Sequence, residues 1–380
     1  MRNNTTFYIE STAELKALCV ELHNSTWIGV DTEFMRERTY YPEPCLIQLS
    51  ADVGIACVDV VTIDDLTALK QVLCREDIVK LMHSCSQDLE IFHILFDEIP
   101  PNIFDTQVAA AFLGKGDQVS YAALVEAICD VKLHKAHTRA RWCKRPLSKD
   151  EILYAEDDVR YLSALQSVLK TELEELGRKD WFDAEMQAIT STTVFAVNSS
   201  NAWQRMNALQ QMAGRQLAVA KSLAGWRENL AQVRDKPRSW ILADKVLVRI
   251  ANALPETKSE LASIEDITDG FVKHQGDRVL AIIKKSVDHD ESNQPSGPGR
   301  PDAREKALKK ELCMILDTAA EKANIPSSLL ATRRDISAMI HGDRELAVFH
   351  GWRNEEVGLQ LLEHLQKHAG CEHAAISKID

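Results

Sequence analysis

The side chains with chemical potential are four carboxylates and one tyrosine, distributed between residues 31 and 158. Asp31 and Glu33 lie in Trp27-Ile-Gly-Val-Asp-Thr-Glu-Phe34, and Asp88 lies in Ser84-Cys-Ser-Gln-Asp-Leu-Glu-Ile-Phe92. Tyr154 and Asp158 lie in Tyr154-Ala-Glu-Asp-Asp-Val-Arg-Tyr-Leu162. Acids gathered inside a folded domain repel one another unless divalent cations neutralise them. Two such ions side by side are a common device for cutting a phosphodiester. The set therefore points to a metal-dependent nuclease, provided the fold brings the five residues together.

The local patterns say how that is done. Residues 27–34 are an apolar, β-branched run ending in charge, as in a strand that emerges from a sheet, and a period of two places Asp31 and Glu33 on one face with Thr32 on the other. Cys45-Leu-Ile-Gln-Leu49 and Ile55-Ala-Cys-Val-Asp-Val60 follow as strands, which predicts an antiparallel meander led by the acidic strand, with the metal pair near the middle of the sheet. Ile78-Val-Lys-Leu-Met82 reads as a further strand. Ser86 is the expected N-cap of a helix through Leu89, Phe92 and Phe96, so Asp88 falls in its first turn, where the helix dipole favours a carboxylate. Ser148-Lys-Asp-Glu151 is a capping box for a helix expected to run to about residue 175, on which Tyr154 and Asp158 share one face at i and i+4.

Each piece alone has an ordinary explanation: a solvated strand edge for Asp31 and Glu33, a helix-start carboxylate for Asp88, a surface pair for Tyr154 and Asp158. Their combination in this order resembles the three exonuclease motifs of the DEDD superfamily, in its tyrosine-bearing branch. Arg36-Glu-Arg-Thr-Tyr-Tyr-Pro42 and Leu46-Ile-Gln-Leu49 are further similar to the ribonuclease D family, and this likeness runs through the whole chain. The resemblance implies an α/β ribonuclease H-like exonuclease domain, a mixed sheet flanked by helices, over residues 1–195. It also implies removal of nucleoside 5′-monophosphates from RNA 3′ ends. Asp31, Glu33, Asp88 and Asp158 become metal-site carboxylates, with Tyr154 orienting the attacking water, a role that suits a phenol of reference pKa near 10. Two ions, magnesium or manganese, match an all-oxygen ligand set.

The net charge of −12 at first argues against nucleic acid, but its distribution does not. Residues 1–200 hold 19 Lys and Arg against 32 Asp and Glu, whereas residues 201–380 hold 26 against 25. Within the acidic half lies a basic island of Lys132, Lys135, Arg139, Arg141, Lys144, Arg145 and Lys149. It either grips a phosphate backbone beside the metals or is a solvated loop. Trp142 inside it either stacks on a base or anchors a core. His134, His137 and Cys143 have only loose ligand-like spacing, and no zinc site is expected there.

After a Ser/Thr/Asn-rich stretch near 190–201 the pattern becomes helical. Arg215-Gln-Leu-Ala-Val-Ala220, Trp226-Arg-Glu-Asn-Leu230, Pro237-Arg-Ser-Trp-Ile-Leu242 and Asp244-Lys-Val-Leu-Val-Arg-Ile-Ala251 resemble an HRDC domain, over residues 203–290. Nine basic side chains against three acids in residues 204–249 suit an RNA-facing surface. Residues 288–301 have linker composition. Pro326-Ser-Ser-Leu-Leu330 and Ile336 repeat Pro237, Ile241 and Leu247 at the same offsets, which suggests a second, HRDC-like module over residues 302–375.

The sequence is thus read as three domains: the α/β exonuclease followed by two all-α HRDC-type modules. No run has the apolar length of a membrane span, and the N-terminus lacks a signal-peptide stretch. Nine cysteines without a C-x-x-C pair suggest reduced thiols and a cytoplasmic protein. The expected activity is a 3′ to 5′ exoribonuclease, acting as a monomer, that trims structured RNA such as tRNA precursors. The alternatives are a DNA 3′ to 5′ exonuclease of the proofreading type, and a nonenzymatic RNA-binding protein with an inactive nuclease domain.

Overall fold

The structure, a computed structural model, describes residues 6–133, 140–191, 199–206, 208–209, 212–289 and 302–369. Six strands form one mixed sheet: β1 (Thr6–Ile9), β2 (Trp27–Met35), β3 (Glu43–Ala51), β4 (Gly54–Val58), β5 (Val79–Met82) and β6 (Ile103–Asp105), in the order β1-β4-β3-β2-β5-β6. β3 and β4 run antiparallel, whereas β1 with β4, β2 with β5 and β5 with β6 are parallel. The expected run β2, β3, β4 is therefore present, with parallel strands added on both sides. The register sets Trp27 opposite Val79 and Gly29 opposite Leu81, so β2 outruns β5 from Asp31 onward. That overhang is where a helix following β5 can place a side chain beside the acids of β2.

Helices α1 (Thr12–Leu22), α2 (Thr67–Leu73), α3 (Ser86–Phe96), α4 (Thr106–Phe112), α5 (Tyr121–Cys129), α6 (Lys149–Arg160), α7 (Leu162–Glu175) and α8 (Lys179–Ile189) flank the sheet. Ser11 and Glu14 form a capping box that starts α1, whose Leu15, Leu18, Cys19 and Leu22 are buried at helical spacing. Ser148 and Glu151 form the expected box at the start of α6.

Two expectations about helices need correction. Ser86 is not a cap: α3 begins after Cys85, which makes no side-chain capping bond. The Asp105 carboxylate organises that turn instead, accepting the N–H groups of Ser84 at 3.0 Å and Cys85 at 2.7 Å while also capping α4 through Gln107 and Val108. The helix expected from Ser148 to about 175 is also not continuous. It breaks at Tyr161 because the Tyr121 hydroxyl occupies the gap, donating to the Asp157 carbonyl at 3.1 Å and accepting the Tyr161 N–H at 3.0 Å. A side chain inserted into the i to i−4 ladder is a recognised cause of such a kink.

The chain divides into two compact units. One comprises Arg36–Glu43 with Ala196–Ala303, and it holds α9 (Gly214–Arg234), α10 (Arg238–Ile241), α11 (Asp244–Ala253), α12 (Lys258–Ala262) and α13 (Asp269–His289). Here Tyr40 is buried, donating its hydroxyl to Glu228 at 2.5 Å beneath the Arg238 guanidinium, and Asp235 accepts the N–H groups of Tyr40 and Tyr41. The motif Arg36–Pro42 thus supplies packing for this helical unit.

The other unit contains the sheet, α1 to α8 and the last helices α14 (Ala303–Ala323), α15 (Ser327–Leu330), α16 (Arg333–Ile340) and α17 (Leu359–Ala369). The last helices thus fall in the same compact unit as the sheet. Trp181 of α8 stacks on Trp352 at 4.7 Å, and the Arg178 guanidinium binds the carbonyls of Phe112 and Ala323. The inferred repeat is visible in the backbone: Pro237 and Pro326 precede the four-residue helices α10 and α15, and an extended residue follows each before α11 and α16.

Cys45 and Cys143 are joined in a disulfide, so the expectation of nine reduced thiols fails for this pair. Their separation of 98 residues left no local signal. Of the stretch 288–301, read as linker, Asp288 and His289 end α13 and the rest lies outside the described residues. Among the described residues no helix is long and apolar enough to cross a membrane.

Candidate active site

Oxygens of Asp31, Glu33 and Asp158 lie within 4.8 Å of one another, so β2 and α6 bring together three of the four expected acids at metal-ligand spacing. Asp88, 6 % exposed in the first turn of α3, stands beside them. It lies outside the trio, yet after burial the charge of Asp31 is what most raises its pKa. Thr32, on the other side of β2, donates its hydroxyl to Asp88 at 2.5 Å. Tyr154, one turn before Asp158, hydrogen-bonds the Asp158 carboxylate. All five residues predicted from the motifs therefore occupy one neighbourhood.

The electrostatics are those of a cation site. Burial and then Asp158 hold the Asp31 carboxyl well above the usual range. Glu33 is pushed up to about 10 by burial and then by Asp31, Asp158 and Asp88. Asp158 is raised to about 7 by burial, against the lowering effect of the Tyr154 hydrogen bond. Burial, and then Asp158, raise Tyr154 above its ordinary value, keeping it a neutral phenol able to donate. Carboxyls that retain protons because they are buried, and then because other acids stand beside them, are groups from which a divalent ion displaces those protons. The donor set is all oxygen, which fits a hard cation.

The surroundings explain the convergence. An added Cβ at Gly29 would sit 2.2 Å from Ser50 Oγ and 3.4 Å from the Val159 carbonyl, and Ser50 Oγ donates to that carbonyl at 2.8 Å. The absent side chain thus lets the elbow between α6 and α7 lie against the sheet directly after Asp158. Arg160 pairs with Glu156 and Asp157, which distinguishes those acids from Asp158, the one that faces the cluster.

Trp142 is a core anchor, 3 % exposed with its ring 6.0 Å from that of Tyr154, and its indole N–H donates to Glu33. Tyr121, Thr32 and Gly29 carry no site signal in the sequence, and Trp142 offers only the choice between base platform and core anchor, because each acts through a partner remote in the chain.

The basic island separates into different fates. Arg145 turns inward: its guanidinium binds Asp59 with two nitrogens and the carbonyls of Trp142 and Cys45, so it is a structural brace rather than a phosphate ligand. Asp59 is buried and fixes the arginine bidentately. Lys132 is exposed and pairs with Glu126 at 3.4 Å, and Arg141 and Lys144 are exposed. Lys135 and Arg139, like His134 and His137, lie outside the described residues.

Comparison with known proteins agrees with this geometry. Residues 6–174 match the 3′-5′ exonuclease domain family, and residues 216–283 match the HRDC domain family. The ribonuclease D of Nitrobacter hamburgensis is 33% identical over 378 residues, covering 98% of this chain and 99% of that protein. The ribonuclease D of Acidiphilium cryptum is 35% identical over 358 residues, covering 92% of this chain and 90% of that one. The crystal structure of Escherichia coli RNase D, an exoribonuclease involved in structured RNA processing, aligns with a TM-score of 0.84 at 29% identity, covering 96% of this chain and 99% of that one. With the acidic cluster, both family matches and relatives aligned nearly end to end in accord, the chain belongs to the ribonuclease D family and is a 3′ to 5′ exoribonuclease.

Proposed function

We propose that this exoribonuclease trims the 3′ ends of structured RNA, tRNA precursors foremost, with two magnesium or manganese ions held by Asp31, Glu33, Asp88 and Asp158. The observation that carries this is the trio of oxygens within 4.8 Å, with Tyr154 bonded to one of its members. When bound, such ions supply a water of lowered pKa and neutralise charge that builds on the leaving 3′ oxygen. Tyr154, neutral and held by Asp158, orients the attacking water. Thr32 holds Asp88, and Trp142 holds Glu33, so the acids need no rearrangement to present their oxygens.

Specificity for structured RNA comes from gripping its folded body while a single-stranded end enters the acid cluster. Exposed Arg141 and Lys144 near the site, and Lys221, Arg278 and Lys285 lining a groove of the helical unit, supply phosphate contacts. Residues 302–375, whose described helices belong to the sheet-bearing unit, serve as the second HRDC-like module, the chain works as a monomer, and the cytoplasm is its compartment.

Digestion of a 3′-extended tRNA precursor, beside a DNA oligonucleotide of the same 3′ sequence, tests this. Expected are stepwise shortening of the RNA, 5′-monophosphate products, dependence on added magnesium or manganese, and slow attack on DNA. Asp31→Ala should abolish turnover with an unchanged circular dichroism spectrum. Full activity in that variant, or in excess chelator, refutes the assignment, and preferred DNA digestion transfers it to DNA ends.

A further inference from the structure

A second cluster of ligating side chains lies far along the chain from the acids and takes no part in the chemistry above. His364 and His368 stand one turn apart on α17, with ring centroids 4.6 Å apart. Glu311 of α14 faces both: its Oε2 lies 2.8 Å from His364 Nε2 and 3.2 Å from His368 Nε2. One ligand atom from each of the three falls within 4.8 Å of the others.

The geometry points to a transition-metal site, zinc by preference, that clamps α14 to α17 at the C-terminal end of the helical module. Two imidazoles at i and i+4 on a helix project side by side and chelate a single ion. A borderline-soft ion accepts nitrogen with a carboxylate, whereas magnesium favours oxygen throughout, so this site and the acid cluster select different metals. Ligands of a tetrahedral zinc stand about 3.3 Å apart, given metal–ligand bonds of about 2.0–2.1 Å, so the Glu311 pairs need to open by no more than about half an ångström. All three side chains are partly exposed, which leaves a path for the ion and a fourth position for water. The two helices already touch here, since Arg304 of α14 donates to the His368 carbonyl at 2.8 Å. The ion therefore joins helices that are in register without it.

The test is titration of the full chain with zinc chloride in excess magnesium, which occupies the oxygen site, with bound zinc read by competition against a chromogenic chelator. The wild-type protein should hold one zinc that the His364→Gln/His368→Gln variant lacks, affinity falling on the order of a hundredfold with two imidazole ligands lost. Zinc should raise the unfolding temperature of the wild type alone, and cobalt(II) should show tetrahedral visible bands only there. Glu311→Gln keeps an acceptor for both imidazoles, so it preserves the helix contact and should weaken zinc about tenfold in a folded protein. Equal zinc affinity in the wild type and the double variant, or no zinc retained by the wild type under magnesium, overturns the site and leaves only hydrogen bonds between the helices.

Discussion

Replacing Tyr121 with Phe removes one oxygen that stands in for a helical hydrogen bond next to Asp158, a proposed metal ligand. The hydroxyl joins the Asp157 carbonyl and the Tyr161 N–H, at 3.1 and 3.0 Å, across the break between α6 and α7. Without it both backbone groups are left without that partner. A buried polar group with no hydrogen bond costs about 1–3 kcal/mol, and because Asp157 and Tyr161 are only half-buried the pair amounts to the lower part of the summed range, roughly 2–4 kcal/mol, if the backbone stays where it is. For a unit of this size that is a fall in unfolding temperature of roughly 4–16 °C. The backbone has one alternative, which is to close the Tyr161 to Asp157 bond directly, recovering most of that stability by straightening the helix. Asp158 sits inside the straightened segment and would move relative to Asp31 and Glu33, so the loss appears in kcat, by tenfold or more for a shift on the order of 1 Å. Calorimetry and steady-state RNA trimming on the same preparation cover both outcomes. A variant that matches the wild type within about 1 °C and twofold in kcat would falsify the assigned role of the tyrosine hydroxyl.

Three further outcomes follow from the same packing. Gly29→Ala sets a methyl carbon 2.2 Å from Ser50 Oγ, so the sheet and the α6–α7 elbow must separate, and trimming should fall steeply together with a loss of about 1–3 kcal/mol from overpacking; wild-type kcat in a folded variant contradicts this. In chelator, Asp158 and Glu33 have pKa values raised to about 7 and about 10 in the folded state. A raised folded value favours the folded state only while the proton stays on, so stability should be greatest below about pH 4 as regards these groups and should decline through pH 7 towards 10, while magnesium flattens the decline; pH-independent melting in chelator would count against the crowded-acid site. Finally, Arg145→Met should lower the unfolding temperature and leave the salt dependence of RNA binding unchanged, whereas Arg141→Ala with Lys144→Ala should reduce that slope by roughly one per lost phosphate contact. An unchanged slope in the double variant removes those two residues from the RNA surface.

The clustering of the five candidate residues was legible in the sequence because it rests on short periods. Alternation along residues 27–34 fixes Asp31 and Glu33 to one face, and the spacing from Tyr154 to Asp158 is one helical turn, so these relations follow from backbone geometry alone. The capping box at Ser148 and the echo between Pro237 and Pro326 are equally local, and both appear in the backbone.

What tertiary structure alone decided involves partners that share no local period. Tyr121 breaks the helix at Tyr161 from 40 residues away, Arg145 turns from a candidate phosphate ligand into a brace because Asp59 lies 86 residues upstream, and Cys143 finds Cys45 across 98. Trp142 could be exposed or buried until β3 supplied the wall behind it. Residues 302–369 carry their own helical pattern, but only the surfaces of α8 and the Phe112 region made them part of the nuclease unit. Local spacing governs which way a side chain leaves its own element. Whether it meets solvent, a carbonyl or another acid depends on chain segments that only the packed core brings near.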